Sequence, residues 1–286
     1  MSDKKPIRTV IPMRMVALGT VAAVLSVPAQ AAAIHGTAHT AFQPGPDLIR
    51  VAGEGGEAGS AAIKAPSAGG EADEGGGAVT EADFLAALGF IEGHLRAGLA
   101  LYQTKDLAAA KTHMGHPIKE KFGAVEHQLN ERGFARLKNE IKALADAAEA
   151  EAPLTEIESR FATVHATLDS VRVASPGGQV AALKSLALLT RIAADEYKEA
   201  VEGGTVSNLH EYQDSWGFLR NVEVEATRVA ASDNANIVAA ANKILALMQG
   251  LGVAYGDIQG MGQMQMEPEL LYGAAARMEL AAIKVR

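Results

Sequence analysis

The chain of 286 residues contains no cysteine. That absence excludes disulfide bonds, thiolate metal sites, iron–sulfur clusters, covalently attached c-type haem and a thiol nucleophile. Aromatic residues make up only 5% of the chain, and 34 Asp and Glu outnumber 26 Lys and Arg, for a net charge of −8. A nucleic-acid-binding protein needs a basic face that replaces the counterions of the phosphates. We therefore expect no nucleic acid among the partners.

Signatures of common catalytic sites are also missing. The sequence has no G-x-S-x-G elbow, no phosphate-binding glycine loop and no dinucleotide-binding fingerprint. We therefore expect a protein that is not an enzyme and has no catalytic residues.

The N-terminus has the pattern of an export signal. Basic residues precede an apolar run over residues 15–27, and Pro28-Ala29-Gln30-Ala31 has the small-x-small form of a signal-peptidase site. The apolar run is shorter than the roughly 20 residues that cross a bilayer. The pattern predicts a Sec-type signal peptide over residues 1–31 and a periplasmic protein, with a membrane anchor as the alternative.

Two kinds of composition follow the signal. Residues 32–79 are rich in Gly, Ala and Glu and hold few large apolar side chains, which predicts a disordered linker. From Thr80 onward the chain is rich in helix formers, and no long segment alternates as a strand would. We predict an all-α helical bundle, either undivided or built from two helical subdomains, 80–174 and 175–286.

A first candidate metal site lies in the N-terminal half, at His94, His113, His116 and Glu120. Residues 115–117 (Gly-His-Pro) predict a helix break, which would place His113 and His116 beside each other at a corner that His94 faces. Imidazoles are the commonest transition-metal ligands, and bundles draw their ligands from facing helices. The alternative interpretation is that these histidines cap helix ends.

A second candidate site lies in a predicted helical hairpin. Glu196 on its first helix, and Glu211 and Asp214 on its second, lie on apolar helix faces near the same end of the hairpin. Buried carboxylates are costly unless they are paired, hydrogen-bonded or bound to a cation. With His210 and nearby tyrosines they predict an oxygen-rich site for a hard cation such as Fe(III). The alternative is helix capping and ion pairing, for which three arginines are candidates: Arg191, Arg220 and Arg228.

The same hairpin carries a resemblance to a known family. A helix end of the form E-Y-x-x-A-V at 196–201 and an E-Y-Q-D-x-x-G-F segment at 211–218 resemble the periplasmic helical domains of bacterial high-affinity iron permeases. More loosely, the chain resembles imelysin and EfeO-type iron-uptake proteins. Neither the R-E-x-x-E element of the permease membrane domain nor the G-x-H-x-x-E signature of imelysins is present. The resemblance therefore implies an accessory role in metal handling.

Together these patterns predict a periplasmic protein that binds a metal ion or metal complex for uptake or homeostasis. Candidate ions are Fe, Cu and Zn, and a membrane permease is a candidate partner. A methionine-rich segment at 261–266 would suit Cu(I) or serve as packing. The alternatives are a non-catalytic scaffold or adaptor, and non-covalent binding of haem or another small ligand with His94 or His113 as axial ligand. The sequence does not predict the oligomeric state.

Overall fold

The computed structural model describes residues 80–285, which form nine α-helices and one small hairpin of two-residue strands. The predicted all-α bundle is therefore confirmed for this part of the chain. The predicted signal peptide and linker lie outside the described residues. The helices are α1 Glu81–Gln103, α2 Leu107–Glu120, α3 Phe122–Glu131, α4 Arg136–Glu149, α5 Leu154–Val173, α6 Gly178–Ala200, α7 Leu209–Ala230, α8 Ala235–Leu251 and α9 Pro268–Ile283; strands β1 Val201–Glu202 and β2 Thr205–Val206 join α6 to α7, and a 3-10 turn, Gly252–Ala254, follows α8.

Local signals in the sequence set several of the helix ends. Thr80 caps α1 through a reciprocal pair of hydrogen bonds with Asp83, and the Asn208 side chain accepts from the backbone N–H of Glu211 at the start of α7. Beyond the end of α3, Gly133 takes a positive φ of 79°, a conformation that glycine adopts without the steric cost of a side chain.

The predicted helix break at residues 115–117 is wrong. α2 continues through this segment to Glu120. A proline inside a helix removes one backbone hydrogen bond and costs about 3 kcal/mol, but Pro117 is buried, and burial of its apolar ring acts against that cost. The continuous helix has an important consequence: His113, His116 and Glu120 stand at positions i, i+3 and i+7, so they share one face.

Helix α1 is the central element of the bundle. It contacts α2 and α5, and it also contacts α6 and α7 from later in the chain. Helices α6 to α9 pack among themselves. By length and composition, α1 and the segment Ala235–Ala254 are apolar enough to cross a membrane, but 78% of the most apolar window of α1 is buried inside the protein. The core position of α1 accounts for its composition. The division into subdomains at 174/175 stays a prediction.

Glycines permit close helix crossings around α1. A Cβ on Gly217 of α7 would lie 2.3 Å from the carbonyl oxygen of Gly93 of α1, far inside van der Waals contact. A Cβ on Gly98 of α1 would lie 2.7 Å from Cγ of Met114 of α2. Because both crossings lack these side chains, α2 and α7 come close enough to α1 for their polar side chains to meet.

A tight turn sets the geometry of the α6–α7 hairpin. Gly203 and Gly204 connect β1 to β2 with φ values of 59° and 76°, which a two-residue hairpin turn requires at both positions. The turn reverses the chain at once, so the end of α6 lies beside the start of α7. Glu196 is thereby brought next to Glu211.

Candidate metal centre

The two candidate sites that the sequence predicted are a single cluster in the structure. Four helices contribute to it, and His113 contacts Asp214 across 101 residues of sequence. All eight predicted residues take part: His94 from α1, His113, His116 and Glu120 from α2, Glu196 from α6, and His210, Glu211 and Asp214 from α7.

Asp214 is the centre of the cluster. Its Oδ1 lies 2.8 Å from Nδ1 of His113 and 3.2 Å from Nε2 of His94, and its Oδ2 lies 3.4 Å from Nε2 of His210. The carboxylate is buried, which alone would raise its pKa, but His94 and His113 outweigh burial and hold the pKa well below its usual range. Asp214 is therefore an anion surrounded by three imidazoles.

The tautomer of His94 follows from its backbone contact. Its Nδ1 lies 3.0 Å from the carbonyl oxygen of Phe90, which only accepts, so Nδ1 carries the proton and donates. A neutral His94 then turns the lone pair of Nε2 toward Asp214. Burial lowers the pKa of His94, but the Asp214 charge and the hydrogen bonds to Asp214 and Phe90 outweigh it, so the net shift is upward.

His113 is held in the same way through Gln213. The Gln213 amide N–H donates to the carbonyl of Ile258 over 3.3 Å, so its Oε1 faces Nε2 of His113 at 2.9 Å and must accept. Nε2 therefore carries the proton, and a neutral His113 presents the lone pair of Nδ1 to Asp214. Two fixed imidazoles thus direct lone pairs at one buried carboxylate, an arrangement that requires a proton or a metal cation between them.

The donor atoms fall into two sets of three. We call His113, His210 and Asp214 the α2–α7 triad, and His94, His116 and Glu120 the α1–α2 triad. Within each triad the three donor atoms lie within 4.8 Å of one another. Each triad offers two imidazoles and one carboxylate, the donor set of many non-haem Fe(II) sites.

The two outer histidines have properties suited to ligands. Burial is the largest influence on both, and it lowers the pKa of His116 and of His210. A lowered pKa favours the neutral imidazole, which is the form that binds a metal ion. The side chains of His116 and His210 are 24% and 33% exposed, so this side of the cluster is reached from solvent.

A pair of glutamates completes the cluster. Burial, followed by the hydrogen bond and charge of Glu211, raises the pKa of Glu196 to about 8. At neutral pH Glu196 is accordingly protonated and shares its proton with Glu211. Lys121 stands nearby, and burial lowers its pKa although the charges of Glu120 and Glu196 act in the opposite direction.

Comparison with known protein families gives a match to part of the chain. Residues 175–282 match the iron permease-associated 4-helix bundle domain. This confirms the resemblance carried by the hairpin and associates this part of the chain with iron permease systems. Comparison with the curated proteins and with the solved structures gives no match.

The match to the permease-associated domain covers only one side of the cluster. It spans α6, α7, α8 and nearly all of α9, and so includes Glu196, His210, Glu211 and Asp214. The remaining members lie on α1 and α2, outside the match. The complete cluster therefore combines helices of the matched segment with helices that precede it.

The arginines proposed as partners of the hairpin acids lie elsewhere. Arg191 pairs with Glu279 of α9, Arg220 with Glu223, and Arg228 with Glu225. Asp214 is neutralised by histidines instead, because α1 and α2 deliver them to it. The cap of α7 is Asn208, whose side chain accepts from the backbone N–H of Glu211.

The tyrosine hydroxyls and the methionines do not join the donor atoms. Tyr197 donates to the carbonyl of Ala254, and Tyr212 donates to the carbonyl of Asp257. Met264 packs against the core, with its sulfur 3.5 Å from the Tyr212 hydroxyl, while Met261 is exposed. The donors of the cluster are therefore imidazoles and carboxylates.

A second buried charge network was missed from the sequence. Glu92 of α1 is fully buried and pairs with Arg172 at 2.5 Å, Arg96 at 2.6 Å and His165 at 2.7 Å. Arg172 also lies 3.1 Å from Glu225 of α7. Burial alone would raise the pKa of Glu92, but its cationic partners hold it well below the usual range. This network ties α5 to α1 and α7.

Proposed function

We propose that this protein binds a divalent transition-metal ion, iron above all, in the cluster around Asp214, and acts in the periplasm as a non-catalytic accessory to a membrane iron permease. The match of residues 175–282 to an iron permease-associated domain supports the link to iron. The signal-like N-terminus supports export.

One observation carries the metal-binding proposal. Hydrogen bonds to Phe90 and Gln213 fix His94 and His113 so that, as neutral imidazoles, both direct lone pairs at the Asp214 carboxylate. Partners that orient a histidine through its other ring nitrogen are a regular feature of metal sites. A metal ion at this position would compete with protons for the same lone pairs.

The donor set favours iron or zinc over a soft ion. Two imidazoles and a carboxylate suit Fe(II) and Zn(II), whereas Cu(I) prefers thiolate or thioether sulfur. Met114 is buried on α2, where it packs beside Gly98 of α1. The iron association of the matched domain then favours iron over zinc.

Calorimetric titration tests this function. We expect the chain from residue 32 onward to bind Fe(II), titrated without oxygen, more tightly than roughly 10 μM, or about −7 kcal/mol. Asp214→Asn keeps the shape of the side chain but removes its charge. This variant should bind Fe(II) more weakly by a larger factor than the roughly 10–100-fold that follows removal of a residue hydrogen-bonded to a metal ligand. His127→Ala is the matched control, because that side chain is 85% exposed and pairs with Glu131, which is not a member of the cluster.

The competing functions give different outcomes in the same titration. A scaffold protein would bind none of Fe, Zn or Cu more tightly than that limit, which would refute the proposal. Haem is disfavoured as ligand because Nε2 of His94 lies 3.2 Å and Nδ1 of His113 lies 2.8 Å from Asp214, too close for a porphyrin to enter between them. Binding of haem that competes with Fe(II) would favour that alternative instead.

A further inference from the structure

We propose that the cluster holds two metal ions, one in each triad, bridged by Asp214. The inference rests on the proposed function, since it describes the same site. The α2–α7 triad and the α1–α2 triad have no residue in common, and each supplies three donor atoms within 4.8 Å of one another. Three protein ligands, completed by water, are enough to hold one transition-metal ion.

Helix α2 divides its donors between two neighbours. His113 lies against Asp214 and stacks on His210 of α7, with ring centroids 4.5 Å apart. His116, one turn later, groups with His94 of α1 and with Glu120. If one triad held an ion, the two imidazoles and the carboxylate of the other triad would still be available for a second ion.

Asp214 is placed to join the two ions. Its Oδ1 faces donors of both triads, namely Nδ1 of His113 in its own triad at 2.8 Å and Nε2 of His94 in the α1–α2 triad at 3.2 Å. Its Oδ2 faces His210 of its own triad at 3.4 Å. A carboxylate between two donor sets in this manner is suited to bridge a pair of ions, which in two-metal sites lie about 4 Å apart.

The number of ions bound per chain tests the inference. The chain from residue 32 onward is loaded with Co(II), desalted, and analysed for metal and protein, and we expect two ions per chain. His116→Ala disables the α1–α2 triad and His210→Ala the α2–α7 triad, so each should reduce the number to one. His127→Ala should retain two, because that side chain is 85% exposed and pairs only with Glu131 among the salt bridges of the described residues.

The outcomes separate the two proposals. A chain that binds no Co(II), Fe(II) or Zn(II) contradicts the proposed function itself. One ion in the wild type, or two ions in both variants, overturns the two-ion inference and leaves the function standing. A measurement on the wild type alone guards against misfolded variants: magnetic susceptibility of the Co(II)-loaded chain should reveal coupled spins, and independent spins would overturn the inference.

Discussion

His94 and His113 are each oriented by a hydrogen bond from the ring nitrogen that faces away from Asp214. Each has one ring nitrogen bound to a fixed acceptor, Phe90 or Gln213, and the other nitrogen directed at Asp214. In the proposed metal site, orientation of these rings would cost little, because they are already held in place. The properties of the site therefore depend on which ring nitrogen of each histidine carries the proton, as well as on which residues are present.

Substitution of Gln213 tests whether its side-chain amide orients His113. Gln213→Ala deletes the acceptor of the Nε2 proton and should weaken Fe(II) binding by roughly 10–100-fold, with Asp214 and the imidazoles unchanged. Isothermal titration measures the effect. Gln263→Ala, in an exposed part of the 261–266 segment, is the control and should bind as the wild type does. Equal affinity in both variants would show that Gln213 has no part in positioning His113.

The pKa of Glu196 predicts how metal binding depends on pH. Its pKa of about 8 means that the folded, metal-free chain holds a proton there at pH 7. A cation favours the ionised carboxylate, so binding should release this proton, and affinity should rise with pH until it levels near pH 8. Titrations in buffers of different ionisation enthalpy count the released protons. Affinity independent of pH between 6 and 8 would contradict this assignment.

Loss of Glu92 should be among the most destabilising polar changes in the protein. Glu92→Gln leaves buried Arg172 without its closest ionic partner, which typically costs about 3–5 kcal/mol of unfolding free energy. The pKa of Glu92 is lowered in the folded state, so its contribution is present above its ordinary value of 4.5 and fades as the pH falls below it. Urea unfolding at pH 7 and pH 4 measures both effects. Glu156→Gln, which breaks an exposed pair with Arg160, is the control and should cost about 0.5 kcal/mol.

At the scale of elements, the crossing of α1 and α7 determines whether the cluster can form. Gly217→Ala would place a Cβ 2.3 Å from the carbonyl oxygen of Gly93, so the helices must separate. We expect a loss of about 2 kcal/mol in unfolding free energy and weaker Fe(II) binding, because His94 moves away from Asp214. Urea unfolding and titration report the two effects.

A second glycine provides the matched control for that change. Gly115 lies inside α2, between two of the histidines, and an added Cβ there would meet nothing within 4 Å. Gly115→Ala should stabilise the protein by about 0.5–1 kcal/mol without changing Fe(II) affinity. If the two variants behaved alike, the close crossing would not be what holds the site together.

Helix α2 shows where prediction from sequence succeeded and where it failed. The helix start at Thr80 and the helix end before Gly133 were predictable, because local hydrogen bonds and backbone conformation set them. The continuation through Pro117 was not, because the burial of this proline depends on how α2 packs against the rest of the bundle. The Glu92 network was not predictable either, because its closest partner, Arg172, lies 80 residues away along the chain.

At the scale of the whole molecule, the site joins two parts of the chain. Every candidate ligand was identified from local sequence, yet they were assigned to two alternative sites. No local sequence pattern reveals that α1 packs against α6 and α7 or that His113 of α2 reaches Asp214 of α7, since these two residues are 101 positions apart. The match to the permease-associated domain contains four of the eight residues, so the family alone would also give an incomplete site.

Because the proposed ligands come from α1, α2 and α7, metal binding should stabilise the entire fold. An ion that binds only the folded state adds about 2.7 kcal/mol when free ion is present at 100 times its dissociation constant. The midpoint of urea unfolding should therefore rise with Fe(II) or Zn(II) and return to its starting value with a chelator. Mg²⁺, which prefers oxygen ligands, is the control and should leave the midpoint unchanged. An equal shift with Mg²⁺ would indicate a non-specific charge effect.

The position of the bound metal tests the central claim most directly. Crystals of the Co(II)- or Fe(II)-loaded chain, measured at the absorption edge of the metal, would locate it by anomalous scattering. We expect density beside Asp214, about 2.1 Å from ring nitrogens of the cluster histidines. A metal bound elsewhere, or none at this position in a loaded crystal, would contradict the account.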